Sequence, residues 1–525
     1  MSDSTNLARV IVRQLIEAGI TDAVLSPGSR NAPLSIALYQ AEQAGHITLH
    51  VKIDERGAAF FALGLTKATG RPVPVICTSG TAVANFHPAV LEASHTNAPL
   101  LVLTADRPAR LRRTGANQTT EQARIFGKSV RYFADISGSV FPMELVFNAL
   151  LSGPVHLNLQ FEEPLVDGES NSSWLESIAA KPIKNFIRKS PGTLFTKSTR
   201  GLLVVGHDRG GLSRENVEDF AGELGWPIIA EDPLSMKNAI PHASIFLTSQ
   251  KIRSEIKPDT VIVIGRTTLS RSINALIADA RKTIVIDPRM ATVDQDRMAD
   301  QKFTAIPRLE VPAADADWVA TWKKLGERAA KVISELDTWS EEIFAREFSK
   351  ALPDGATLFI ASSRPIRDFE GFATPRSGIT VSANRGLAGI DGNISTALGI
   401  AARSQQSFAV IGDLAFLHDV SALANAGNPK LRLFVVDNNG GGIFSTLPQA
   451  GVEGFEAIFG TPHGRDIAAI AEAFGINSST ISNQSELIST LSQPVTGLEI
   501  VVVKVPSRQE NGDYLKSVYK KMESL

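Results

Sequence analysis

Short apolar runs recur along this chain, each followed by a polar or glycine-rich turn and then by a helical pattern. Ala23–Leu25, Val73–Cys77, Leu100–Leu103 and Val155–Leu159 come first. Leu202–Val205, Val261–Ile264 and Thr283–Ile286 follow. Thr357–Ala361, Ile379–Ser382, Phe408–Ile411, Leu431–Val436 and Leu498–Val505 complete the series. Runs this apolar read as strands buried on both faces, and their alternation with helices predicts βα units in parallel sheets. A chain of 525 residues exceeds one core and suits three domains of roughly 150–200 residues. Residues 165–200 fade into Ser, Lys, Asn and Pro, which predicts a linker. A charged helical region runs from Trp318 to about Leu352, with Trp322, Leu325, Ala329 and Ile333 spaced for one buried face. The expected architecture is α/β, with three open parallel-sheet domains at residues 1–180, 195–345 and 350–525.

Charge narrows the function classes. The 53 Lys and Arg residues nearly balance 55 Asp and Glu residues, which argues against nucleic acid or a membrane surface as the main partner. Cys77 is the lone cysteine, so an intramolecular disulfide is excluded and a thiolate zinc site is implausible. Its place in an apolar run reads as an inert core thiol. No apolar run approaches the ~18 residues that span a bilayer. The first residues lack a basic region followed by an apolar one, and instead Leu7, Val10, Ile11 and Leu15 repeat at helical spacing behind cap candidates Ser4 and Thr5. A cytoplasmic protein without membrane insertion is expected.

The strand ends carry the chemistry. Phe408–Ile411 stops at Gly412-Asp413, and Leu431–Val436 stops at Asp437-Asn438-Asn439-Gly440. Open α/β sheets bind ligands beyond such ends. Asp413, the Asn438 side chain and the Gly440 carbonyl offer a hard cation an oxygen-rich half-shell, and Mg²⁺ completes such a shell with water and substrate phosphates. The turn Gly206–Gly211 after Leu202–Val205 is not G-x-G-x-x-G, so the middle block reads as a spacer rather than a dinucleotide site. Asp54-Glu55 opens a small, apolar helix, where a carboxylate also suits the macrodipole.

Eight motifs in order resemble the thiamine-diphosphate-dependent enzymes, and among them the carboligase branch of menaquinone biosynthesis. They are SPGSRNAPL (26–34), DERGAAFFALGLTKATG (54–70), TSGTAVAN (78–85), LTADRP (103–108), GANQ (115–118), NRGLAGIDG (384–392), GDLAFLHD (412–419) and DNNGGGIFSTLP (437–448). The resemblance implies pyrimidine-binding, central and diphosphate-binding domains. It also implies active sites built from two subunits, hence a homodimer or a dimer of dimers. Glu55 matches the carboxyl that hydrogen-bonds the pyrimidine ring and promotes the tautomer able to deprotonate C2. Ile390 matches the aliphatic residue that bends the cofactor. Asp413, Asn438 and Gly440 match the ligands of Mg²⁺ or Mn²⁺, with Leu414 and Ile443 beside the cofactor. The 25 positions from Asp413 to Asn438 are fewer than the family usually has, the shortening falling near Ala426–Lys430.

The implied reaction decarboxylates 2-oxoglutarate and adds the resulting succinyl carbanion to isochorismate. Both substrates are dicarboxylates, and arginine binds a carboxylate through two parallel hydrogen bonds. Ser29, Arg30, Arg107, Asn117, Gln118, Arg271, Arg367 and Arg385 match the family's substrate site. Ile443, Phe444 and Leu447 match the apolar residues that shield the reacting carbon from water. The family often has Lys-Arg where this chain has Ser270-Arg271. An acetolactate-synthase-like enzyme or simple 2-oxo-acid decarboxylase shares the cofactor motifs but uses less cationic pockets. A non-catalytic ligand-binding protein of the same fold would have little reason to keep Glu55.

Overall fold

The structure, a computed structural model, describes residues 2–166, 172–181, 183, 192–289, 294 and 297–525. Of the expected linker, residues 167–171, 182 and 184–191 lie outside these residues; the described part carries a short turn, Ser173–Leu175, and a strand, Thr193–Phe195. Three all-parallel sheets follow one another along the chain, as the apolar runs predict. The first contains β1 (Asp22–Leu25), β2 (Thr48–Val51), β3 (Val73–Cys77), β4 (Leu100–Asp106), β5 (Tyr132–Ile136) and β6 (Val155–Gln160), in the order β2-β1-β3-β4-β6-β5. β7 (Thr193–Phe195) pairs with β13 (Arg308–Glu310) in a small ribbon. The second sheet contains β8 (Gly201–Val205), β9 (Ile228–Ala230), β10 (Thr260–Ile264), β11 (Lys282–Ile286) and β12 (Gln301–Phe303), ordered β12-β11-β10-β8-β9.

The third sheet contains β14 (Thr357–Ile360), β15 (Thr380–Ser382), β16 (Ser407–Gly412), β17 (Leu431–Asp437), β18 (Asn477–Ile481) and β19 (Leu498–Lys504). Its order, β15-β14-β16-β17-β19-β18, repeats that of the first sheet strand for strand. In both, the strand order reverses between the first and third strands, and ligands bind at such a switch point. Central strands such as β3, β4 and β17 are buried at every residue. These are the runs that read as strands from sequence.

By packing, the described chain forms two units. One contains residues 1–187 with 391–405 and 418–429; the other contains 188–390, 406–417 and 430–525. In the first, the helix Asn393–Ala401 lies directly on the helix Glu55–Thr69. A Cβ on Gly64 would stand 2.2 Å from the Thr396 carbonyl oxygen, and one on Gly399 would stand 2.2 Å from that of Phe61. Only glycines allow this approach. Arg403 closes the contact by donating from Nε to Asp22 at 3.0 Å, where His50 also lies 2.9 Å away.

Two local expectations change. The N-terminal helix, Asp3–Glu17, is capped by Ser2, which accepts from the Thr5 amide; Ser4 is buried and donates to the Glu162 carbonyl at 2.7 Å. The region from Trp318 to Leu352 is two helices, Ala316–Ser334 and Glu341–Ala351. Ser340 caps the second, and Trp339 donates its indole N–H to the Lys504 carbonyl at 2.8 Å. Phe344 and Phe348 of the second helix pack into the core of the third sheet, with Leu358, Phe408 and Phe434.

Candidate active site

In the first unit, the turns after β1, β3 and β4 gather the sequence candidates. Glu55 is the first residue of its helix, behind Asp54, whose side chain accepts from the Arg56 and Gly57 amides. The buried Cys77 thiol at the end of β3 is raised well above its ordinary value by burial and then by the Glu55 carboxylate. A buried thiol held protonated is inert, as expected.

Arg107, after β4, donates from Nη1 to the Ser79 hydroxyl at 2.6 Å and to the Gln118 carbonyl at 2.7 Å. The Gln118 amide donates back to the Ser79 carbonyl at 2.9 Å. Three motifs distant in sequence thus close on one another. Arg30, after β1, donates to the Phe161 carbonyl at 3.0 Å and pairs with Glu163 at 3.2 Å, while its buried Nε has no partner among the described residues. Burial and then the Arg30 charge push the Arg107 guanidinium below its ordinary value. Two such cations close together and incompletely paired suit an anionic ligand. Ser29 and Asn117 are exposed on the same turns. Gln122, which the sequence did not single out, accepts from the Gly80 amide at 3.2 Å and donates to Asn158 at 2.8 Å, fixing the turn from beneath.

In the second unit, Asp413 directly follows β16, opens the short helix Asp413–His418 and is 2% exposed. Its carboxylate accepts from the Gly440 amide at 2.7 Å and the Leu414 amide at 2.6 Å. Burial raises its pKa to about 6, against the pull of these amides, with Asp437 adding to the rise and His463 opposing it. Gly440, at φ +135°, could carry no side chain: a Cβ would meet the Gly460 carbonyl oxygen at 2.2 Å. Asn438 donates from Nδ2 to Glu341 at 2.5 Å, and its buried Oδ1 has no partner among the described residues. A buried amide oxygen without a partner, two residues before the glycine whose amide donates to Asp413, is the kind of donor a hard divalent cation takes. Asp413, Asn438 and Gly440 are therefore residues that would fit a hard divalent cation such as Mg²⁺.

His463 was missed by sequence reasoning, because nothing local marks it. Its Nε2 lies 3.2 Å from Asp413 and 3.6 Å from Asp437, and the three form a compact acidic and imidazole cluster. Its Nδ1 accepts from the Arg465 amide at 2.9 Å, so Nε2 carries the proton and donates to Asp413. Lys504 pairs with Asp437. His463 is thus a hydrogen-bond donor to the candidate ligand rather than a ligand itself.

Ile443 and Phe444 lie on the short helix Gly442–Thr446, with the Phe444 ring 5.4 Å from that of Phe459. Ile390 is 38% exposed and Leu387 51%, an unusual display of aliphatic side chains in one turn. Arg271, Arg367 and Leu447 line one cavity of about 610 Å³, together with Arg253 and Arg364. Arg364 is matched by Glu341, Glu342 and Asp368 at 2.6–2.9 Å. Glu370, also in the wall, is raised well above its ordinary value by burial and then by Glu231. Ser270 caps the helix Arg271–Ala278 and supplies no charge; Arg253 adds one to the same wall. Arg385 is buried and already paired with Glu231 at 2.7 Å.

Comparison with known proteins identifies three domains. Residues 5–125 match the thiamine pyrophosphate enzyme N-terminal TPP binding domain, 168–360 the middle domain of thiamine pyrophosphate enzymes, and 365–505 the C-terminal TPP binding domain. The chain is 37% identical to the 2-succinyl-5-enolpyruvyl-6-hydroxy-3-cyclohexene-1-carboxylate synthase of Saccharopolyspora erythraea, over 98% of this chain and 97% of that one. It is 38% identical to the synthase of the same name from Thermobifida fusca, over 96% of each chain. With that of Lysinibacillus sphaericus it shares 34% identity over 94% of each. The chain belongs to the thiamine-diphosphate-dependent enzymes, in the family of the 2-succinyl-5-enolpyruvyl-6-hydroxy-3-cyclohexene-1-carboxylate synthases.

Proposed function

We propose that the protein is a transferase of menaquinone biosynthesis that decarboxylates 2-oxoglutarate and adds the remaining four-carbon unit to isochorismate, releasing CO₂. The observation that carries this is identity of 34–38% along nearly the whole chain to synthases of that name. Thiamine diphosphate, when bound, supplies the nucleophilic carbon and the electron sink. The protein's own residues do the rest. Glu55 holds a proton at the pyrimidine ring. Asp413, Asn438 and the Gly440 carbonyl hold Mg²⁺ or Mn²⁺, with Leu414 beside them. Ile390 shapes the cofactor, and Ile443, Phe444 and Leu447 exclude water. Ser29, Arg30, Arg107, Asn117, Gln118, Arg271, Arg367 and Arg385 bind the substrate carboxylates.

The reading extends to three domains at 1–180, 195–345 and 350–525, a homodimer or dimer of dimers with shared active sites, and a cytoplasmic location. No described helix is long and apolar enough to cross a membrane. Val51 and Ile53, 44% and 63% exposed beside Glu55, supply apolar surface for a second copy. Purified protein given Mg²⁺, thiamine diphosphate and both substrates is expected to release CO₂ and consume isochorismate. Faster turnover of pyruvate than of 2-oxoglutarate would instead mark an acetolactate-synthase-like enzyme.

A further inference from the structure

We propose that Glu341 is a positioning residue that fixes which way the Asn438 amide faces, and so sets how tightly the Asp413, Asn438 and Gly440 oxygens hold a divalent cation. This rests on the cofactor reading above. The two ends of an asparagine amide are nearly equal in shape, and neighbouring groups decide which points where. A carboxylate only accepts hydrogen bonds. The 2.5 Å contact between Asn438 and Glu341 Oε1 therefore holds Nδ2 at Glu341 and turns Oδ1 the other way. That oxygen is buried and lacks a partner among the described residues. Turned round, the amide would present N–H groups to the cation and an oxygen to a carboxylate.

Glu341 is itself held on three sides. Arg364 donates from Nε to Oε2 at 2.9 Å, and the Glu341 amide donates to Asn511 Oδ1 at 3.2 Å. Ser340 caps the helix on whose first turn it stands. Phe344, Val410 and Val436 line the small gap around the contact, so water is a poor substitute there. Each Glu341 oxygen thus serves one donor: Oε1 takes Asn438, and Oε2 takes Arg364. A glutamine offers one acceptor oxygen for two donors. Because Arg364 also has Glu342 and Asp368, the helix keeps its anchor when Glu341 loses its charge.

The test titrates Mg²⁺ into protein held with thiamine diphosphate, read by calorimetry and by the shift in melting temperature. Glu341→Gln is expected to weaken the apparent Mg²⁺ affinity by about 10–100-fold, the usual effect of losing a partner that orients a ligand, while the melting temperature without ligands changes little. An Asn438→Asp background has no amide to orient, so there Glu341→Gln should leave the titration unchanged or tighten it. Equal weakening in both backgrounds, or unaltered affinity in Glu341→Gln alone, overturns the orienting role. Should Glu341→Gln fail to fold, Glu341→Asp draws the carboxylate back by one methylene, and it must weaken Mg²⁺ binding in the same titration or the proposal falls. Wild-type protein that takes up no Mg²⁺ with thiamine diphosphate would defeat the cofactor reading itself, and this inference with it.

Discussion

Glu55 stands at a helix start where Asp54 already satisfies the first free amides, so its own carboxylate is spare for a ligand. Glu55→Gln is expected to lower turnover by ~10²-fold or more, as loss of a proton-relaying group does, with the melting temperature unchanged. Near-normal kinetics would contradict the role. Arg107 is different, because it ties Ser79 and Gln118 together as well as facing Arg30. Arg107→Lys keeps a charge but cannot span both partners, so it should raise KM for one substrate about tenfold or more, by loss of a charge-assisted hydrogen bond. Most of these residues were legible because motifs carried them. His463, Gln122 and Glu341 were not, since each acts on a residue at least 42 positions away.

At the scale of elements, most strands that read clearly are interior and largely buried, although β15, at an edge and without a buried residue, was also read. β2, β5, β9, β12 and β18 went unread, and each is at the edge of its sheet. Edge strands face solvent on one side and need no continuous apolar run; the burial of β2 and β18 is broken at nearly every position. The tight pairing of helices Glu55–Thr69 and Asn393–Ala401 gives a sharper test. Gly399→Ala places a methyl against backbone and should cost about 1–3 kcal/mol, the usual price of overpacking, seen as a lowered melting temperature. Asp22 secures the same segment. Burial alone would raise its carboxyl, but the hydrogen bonds from His50 and Arg403 outweigh that and leave it below its ordinary 3.8. A carboxyl whose folded pKa is depressed stabilises the fold above the unfolded value and loses that contribution as pH falls through the folded one. Asp22→Asn should therefore lower the melting temperature near neutral pH, and the gap from wild type should close as pH drops below 3.8.

For the whole molecule, the repeated strand order of the first and third sheets puts candidate residues at equivalent switch points, Arg30 and Ser79 in one, Asp413 in the other. Glu55 belongs to one unit and Asp413, Asn438 and Gly440 to the other. If active sites are shared between subunits, Glu55→Gln and Asn438→Ala proteins, each inactive alone, should complement when unfolded and refolded together. Random pairing in a dimer makes half the dimers mixed, each with one intact site, so about a quarter of wild-type activity should return. No recovery would place both halves of each site in one chain.

The sequence by itself determined the fold class, the three parallel sheets and the identities of most candidate residues. Buried strands need unbroken apolar runs, and chemistry at strand ends needs particular side chains at particular spacings. Only the tertiary structure decided which carboxylates are buried, which arginines are already paired, and which atom of the Asn438 amide is left over. Those outcomes depend on desolvation and on hydrogen-bond partners brought from afar: Glu231 against Arg385, and Glu341 against Asn438. No local pattern in the chain records them.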